Sequence, residues 1–294
     1  MRKRGWMWKL GRVVAVVFAS GFVYAAFIYL TLPDVRSLRT ANPDTTAFME
    51  LRARQARAKG AEPKKVQRWV PYSRISGNLK RAVLVAEDSG FWQHEGIEFE
   101  QMKESIEANL ERLEFARGGS TITQQLAKNL YLSPSKNPIR KLREILIARR
   151  LEAELTKQRI LELYLNVIEW GDDIYGAEAA ARTYFGKSAA ELGPQESALL
   201  AGAIINPHVH SPGHPTARLR RRQQMILGRM GAVEPPPVVA DSGHPDGGTK
   251  PAGSTPLEGV GNPPTSGLPP VLPGEAVPPV APVPVKPCEN PPCR

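Results

Sequence analysis

Two carboxylates in this chain sit in settings that would give them different work. Glu87 closes an apolar run, Leu79-Lys80-Arg81-Ala82-Val83-Leu84-Val85-Ala86. A carboxylate at the end of such a helix is partly withdrawn from water, and burial raises its pKa and makes it a better general base near neutrality. Taken alone, an acid at a helix end is an ordinary solvated acid. It opens the stretch Glu87-Asp88-Ser89-Gly90-Phe91-Trp92-Gln93-His94-Glu95-Gly96, in which His94, in a glycine-bounded turn, reads more simply as structural than as a metal ligand. Glu144 belongs to Arg140-Lys141-Leu142-Arg143-Glu144. On a helix Arg140 lies one turn before Glu144 and Lys141 three residues before it, so two cations flank one carboxylate. The plain alternative is an i,i+4 salt bridge worth roughly 0.2–0.5 kcal/mol. Lys128 and Lys136 lie nearby in sequence and add to a cationic, phosphate-binding patch.

Between the two carboxylates runs an uncharged polar stretch, Gly118-Gly119-Ser120-Thr121-Ile122-Thr123-Gln124-Gln125, followed by Leu126-Ala127-Lys128-Asn129. The glycines open a turn and the Ser-Thr pair can cap a helix start. Gln124 and Gln125 offer amide donors and acceptors on neighbouring faces. Surface helices rarely go so long without charge. The segment reads as a holder for a hydroxyl-rich or phosphate-bearing ligand.

Two other patterns carry less. Ser133-Pro134-Ser135-Lys136 has the SxxK spacing of acyl-transfer enzymes and Ser76-Gly77-Asn78 the SxN spacing. The order of the two is reversed, however, and no KTG follows. His208, His210 and His214 lie in a proline-broken loop without an acidic or cysteine partner nearby in sequence, which argues against a metal site.

The elements that must position these residues follow from composition and pattern. The chain has 294 residues and a formal net charge of +10, a bias toward an anionic partner. Its two cysteines, Cys288 and Cys293, lie at the extreme C-terminus, so no cysteine framework or CxxC metal spacing supports a core. Val13 to Leu32 is an uncharged run long enough to cross a bilayer, preceded by Arg2, Lys3, Arg4, Lys9 and Arg12 without an acid. The positive-inside rule places residues 1–12 in the cytoplasm and the rest of the chain across the membrane, with Trp6 and Trp8 at the interface. A cleaved signal peptide fits less well, because the run is long and no small-x-small site closes it. This topology argues against nucleic acid as the anionic partner. Residues 33–74 read as a basic juxtamembrane linker that lies against headgroups, with a short helix at Phe48–Lys59 and an extended Trp69–Tyr72.

From residue 75 to 232 helical periodicity dominates and strand signals are weak, so the fold class is mainly α. Helices are expected near 79–87, 126–132, 138–155, 158–166, 176–185 and 194–204. Phe99, Met102, Ile106, Leu110 and Leu113 form a further apolar stripe. Residues 233–294 hold 18 of the 28 prolines and cannot bury enough surface to fold, so a disordered spacer is expected.

The ordered motifs together resemble the peptidoglycan glycosyltransferases of glycosyltransferase family 51, monofunctional biosynthetic transglycosylases above all. They are Glu87-Asp-Ser-Gly-Phe91-x-x-His94-x-Gly96; Gly118 to Asn129; Arg140-Lys141-x-x-Glu144; Ile160-Leu-Glu-x-Tyr164-Leu-Asn166, running on through Gly171, Gly176 and Ala180-Ala181-x-x-Tyr184-Phe185-x-Lys187; and Ala198-Leu-Leu-Ala-Gly202 with Asn206-Pro207. The resemblance covers about residues 33–230. It implies a lysozyme-like helical fold with a small apolar jaw facing the membrane, for which the Phe99–Leu113 stripe is a candidate, a core-facing helix being the alternative. It also implies a reaction: the 4-hydroxyl of lipid II attacks the anomeric carbon of a growing glycan on undecaprenyl pyrophosphate, forming a β-1,4 bond with inversion. Glu87 would be the general base and Glu144 a second functional carboxylate near the leaving pyrophosphate. Lys128, Lys136, Arg140 and Lys141 would neutralise the pyrophosphate, and Phe91, Ser120, Thr121, Gln124 and Gln125 would contact substrate. Lys136 stands where arginine is common, and lysine binds phosphate as a point charge rather than a fork. No cofactor is required, although Mg²⁺ or Mn²⁺ can assist at the pyrophosphate. The place implied is the bacterial inner membrane, with the catalytic domain periplasmic and cell-wall synthesis or division proteins as partners. The rival readings are a lytic murein transglycosylase or lysozyme-like hydrolase, and a non-enzymatic anchored scaffold.

Overall fold

A computed structural model describes residues 2–96, 119–135 and 137–232. The Phe99–Leu113 stripe, Lys136, and the proline-rich tail with Cys288 and Cys293 lie outside the described residues. The described part is mainly helical. Helix α1 (Arg2–Leu30) contains an apolar stretch, Trp8–Leu30, of 23 residues at mean hydropathy 2.3, long and apolar enough to cross a membrane. Phe18, Phe22 and Leu30 are among its exposed side chains. The helix stops two residues before the expected Leu32. Thr31 Oγ1 donates back to the Phe27 carbonyl at 2.8 Å, and Pro33 cannot continue the ladder.

The remaining helices are α2 (Ala47–Ala58), α3 (Gly77–Glu87), α4 (Ile122–Tyr131), α5 (Pro138–Glu154), α6 (Lys157–Val167), α7 (Ala177–Phe185), α8 (Pro194–Ala203) and α9 (Ala217–Arg229). Most begin on the residue that local chemistry favours. Thr46, Ser76, Thr121, Asn137, Thr156 and Thr216 each accept a backbone N–H from the first turn that follows. Pro138 fits the first turn of α5, where its missing N–H would have had no partner.

Two groups of helices share one core. Helix α3 packs on α8, and α8 on α9; helix α4 packs on α5 and α6. Helix α8 is buried from Ser197 to Ala203, as a helix apolar on all sides must be. Residues 33–74, expected as a linker, contribute Val35, Leu38, Met49 and Val70 to the same core. Asn166 fixes this segment. It is fully buried, its Oδ1 accepts the Val70 N–H at 3.0 Å, and its Nδ2 donates to the carbonyls of Val70 at 2.9 Å and Glu162 at 2.8 Å. A small sheet completes the fold, with β1 (Val66–Gln67) parallel to β3 (Ile174–Tyr175), and β2 (Glu169–Gly171) antiparallel to β3 across a bulge.

Candidate active site

Glu87 is the last residue of α3, and its side chain is 13 % exposed. Its Oε2 accepts from Gln125 Nε2 at 2.9 Å. Its Oε1 is buried without a hydrogen-bond partner, and Arg222 Nη2 on α9 stands 3.5 Å away. Burial pushes the Glu87 carboxyl above its ordinary range. The Gln125 hydrogen bond and the charges of Arg222 and Lys128 oppose that rise, and neighbouring Asp88 adds to it.

The next residues lock this helix end to the start of α4. Asp88 accepts the Ile122 N–H at 2.9 Å and pairs with His94 Nε2 at 2.9 Å. The Gly96 N–H donates to His94 Nδ1 at 3.0 Å, so the ring proton sits on Nε2, facing Asp88. His94 is thus a structural residue. Thr121 Oγ1 donates to the Gly96 carbonyl at 2.8 Å while capping α4. Gly96 is held at φ +81, and a Cβ there would stand 2.8 Å from Glu152 Cγ.

Glu144, on α5, is 2 % exposed. Arg140 Nη1 donates to its Oε2 and Lys141 Nζ to its Oε1, each at 2.5 Å. Lys141 Nζ also reaches Ser120 Oγ at 3.0 Å and Gln124 Oε1 at 3.4 Å, which ties the polar stretch to the cationic helix. Burial lowers the pKa of Lys128, on α4, with Glu144 and Glu87 both pulling it back up and Arg140 and Lys141 lowering it further. Its ammonium therefore lies within the field of both carboxylates.

Two cavities adjoin these groups. One of about 540 Å³ opens between the residues after α1 and helices α4 and α5, lined by Thr31, Pro33, Tyr131, Ile139, Arg140 and Arg143. The other, about 370 Å³, lies along α9, where Arg218, Arg221 and Arg222 meet the buried His210. Arg222 connects it to Glu87. A buried base whose Oε1 makes no hydrogen bond, beside Arg222 of the second hollow, can accept a proton while charge is held nearby.

The transglycosylase family model matches residues 54–231. The biosynthetic peptidoglycan transglycosylase of Dechloromonas aromatica is 48 % identical over 195 residues, 66 % of this chain and 84 % of that protein. Its counterpart in Nitrosospira multiformis is 41 % identical over 233 residues, 79 % of this chain and 98 % of that protein. The chain belongs to the transglycosylase family. The matched span takes in every described carboxylate, cation and amide of the candidate site.

Within this transglycosylase domain the expected residues fall into distinct places. Glu87 is joined directly to Gln125, and Glu144 to Arg140 and Lys141, of which Lys141 links it to Ser120 and Gln124. Gln125 holds Glu87 on one end of its amide and accepts from the Tyr164 hydroxyl at 2.9 Å on the other. Phe91 is fully buried, edge-on to Trp92 at 5.0 Å and beneath Lys157 Nζ at 4.5 Å, so its ring belongs to the core under the site. Thr121 and Gln124 are also buried. His208 pairs with Glu169 and Asp172, and among the described residues no group of three His, Cys, Asp or Glu is placed to hold a metal. The cations Arg140 and Lys141 already exceed the single charge of Glu144, so this carboxylate is a poor anchor for a divalent ion. Tyr164 and Arg222 are the two neighbours of Glu87 that the sequence reading did not single out for the site.

Proposed function

We propose that this chain polymerises glycan strands during peptidoglycan synthesis, as a glycosyltransferase held in the membrane by α1. The observation that carries the reading is Glu87, a buried carboxylate with a raised pKa and an unpartnered Oε1, coupled through Lys128 to the Arg140–Lys141–Glu144 group. The acceptor is lipid II and the donor a growing glycan on undecaprenyl pyrophosphate. Glu87 takes the proton from the acceptor 4-hydroxyl as that oxygen bonds to the donor's anomeric carbon. The bond from that carbon to the pyrophosphate breaks on the opposite face, which inverts the configuration and leaves a β-1,4 link. The electron pair departs on the pyrophosphate, where Lys128, Arg140 and Lys141 stabilise it, with Lys136 as a further cation. Ser120, held by Lys141, borders the sugar and phosphate oxygens, and the buried Gln124 supports Lys141 from behind. No cofactor is required for the proton transfer, and Mg²⁺ or Mn²⁺ can assist at the pyrophosphate.

In the same reading the catalytic domain lies on the periplasmic side, the Phe99–Leu113 stripe forms part of a membrane-facing jaw, and residues 233–294 act as a spacer toward cell-wall partners. The cation group beside Glu144 favours a pyrophosphate donor over the lytic and lysozyme-like alternatives, whose glycan substrate carries no such leaving group. The test is the purified chain in detergent with lipid II, with and without Glu87→Gln. Polymer from the wild type and a loss of about a hundredfold or more in the variant are expected. Digestion of preformed murein without polymer would assign the lytic chemistry instead.

A further inference from the structure

We propose that Tyr164 is a positioning residue that acts through Gln125 to decide which oxygen of Glu87 is the base, an inference that rests on Glu87 being the general base. The three side chains come from three helices. Tyr164 Oη and Gln125 Oε1 are 2.9 Å apart, and Gln125 Nε2 and Glu87 Oε2 are 2.9 Å apart. An ionised carboxylate only accepts hydrogen bonds. The amide must therefore turn its NH2 toward Glu87, which leaves its oxygen toward Tyr164. An amide oxygen only accepts, so the phenol must donate. Tyr164 is fully buried and α6 holds it in the core beneath the site, so its hydroxyl cannot turn to water. Burial, together with Glu87 and Asp88, keeps it a protonated donor far above neutral pH.

The consequence falls on the carboxylate. Oε2 is occupied by Gln125, and Oε1 is the buried oxygen without a hydrogen-bond partner. Oε1 is then the atom that receives the acceptor's proton, with Arg222 at 3.5 Å on the same side. Without the Tyr164 donor the Gln125 amide is free to rotate, the ionised form of Glu87 loses its fixed partner, and its pKa rises further. Gln125, held by Tyr164, also opposes the rise that burial gives the Glu87 pKa.

The test is the pH dependence of lipid II polymerisation by the full chain in detergent, for wild type, Tyr164→Phe, Gln125→Leu and the double variant. In Tyr164→Phe the acid limb of kcat moves to higher pH and kcat at pH 7 falls about tenfold, while KM changes little. The deficit shrinks toward zero as pH rises and Glu87 becomes fully ionised. Gln125→Leu moves the limb further in the same direction, and adding Tyr164→Phe to it moves the limb no more. A uniform loss with an unmoved limb, or additive shifts in the double variant, would overturn the proposal. A measurement that keeps the native packing runs beside these. With 3-fluorotyrosine at position 164, the fluorine resonance follows the same midpoint as the acid limb and stops titrating in Glu87→Gln. A resonance that ignores that titration also overturns the proposal. The Glu87→Gln rate separates the two ideas. If that variant still polymerises, the base assignment fails; if it is dead and the limb and resonance do not respond to Tyr164, only the relay fails.

Discussion

The bond between Lys141 and Glu144 offers a direct measure of how tightly the cationic group is built. Replacing Lys141 by Met keeps most of the aliphatic stem and removes the ammonium. Hydrogen bonds to charged groups contribute about 1.5–3 kcal/mol, whereas exposed ion pairs give about 0.2–1 kcal/mol. The Glu144 side chain is 3 % exposed and that of Lys141 37 %, so the pair lies between these cases. A coupling of about 1–2 kcal/mol is expected from a double-mutant cycle with Glu144→Gln. The assay is urea unfolding of the detergent-solubilised chain, followed by tryptophan fluorescence, for which the buried Trp170 is a reporter. Glu144→Gln should destabilise more than Lys141→Met, because it leaves both Arg140 and Lys141 without their shared carboxylate. A coupling below about 0.3 kcal/mol, or an inverted order of the single variants, would show that Lys141 is not committed to Glu144 and would refute the picture of a pre-assembled anion site.

The other expectations concern stability at the base and at a turn. Glu87→Gln should raise the melting temperature at neutral pH and leave it unchanged well below pH 4.5. With a folded-state pKa above its ordinary 4.5, Glu87 supports folding only while protonated, and that support is lost as pH rises from the unfolded toward the folded value. A variant less stable than wild type at pH 7 would contradict this sign. Gly176→Ala should cost about 3 kcal/mol or more by the same urea measurement. Its backbone is held at φ +84 and ψ 151, a region other residues avoid, and a Cβ there would stand 2.7 Å from the Asn166 carbonyl oxygen.

The legible part of this molecule is the part written in short-range spacing. The Arg140, Lys141 and Glu144 cluster is an i,i+3 and i,i+4 pattern, and the helix carrying it begins at Pro138 as read. Glu87 at the end of an apolar run is equally local, as is the cap at Thr121. What escaped is tertiary. Arg222 lies far along the chain from Glu87 and meets it because α9 packs on α8 and α3. Tyr164 sits among apolar residues in a helical pattern, where an aromatic reads as core; the overlooked signal was its hydroxyl, which when buried needs a partner. Residues 33–74 read as a linker because the segment is polar and basic overall, and the burial of Leu38, Met49 and Val70 depends on surfaces supplied by other segments. Two-residue strands such as β1 and β3 are too short to show any alternation.

Helix α5 shows how anchor and site are joined by one element. Arg143 Nη2 donates to the Thr31 carbonyl at 2.9 Å. One heptad on, Arg150 Nη2 donates to the Tyr29 carbonyl at 3.2 Å, with its guanidinium 4.8 Å from the Tyr29 ring centroid. These two residues share a face, and that face holds the last turn of α1. Arg140 and Glu144, with Lys141, occupy a neighbouring face that turns toward Ser120 and Gln124. Ile139 and Leu142 are exposed on the same helix, at 40 % and 46 %. On the reading that α1 crosses the bilayer, its C-terminal end fixes the depth of α5, and a rigid helix passes that depth to the cations about one turn away. A lipid-linked pyrophosphate is confined to the same depth, since its prenyl chain stays in the hydrocarbon and its charge cannot. The cations then meet the leaving group without the substrate having to be lifted from the membrane. Ile139 and Leu142, apolar and uncovered among the described residues, fit the side of α5 that would face the lipid.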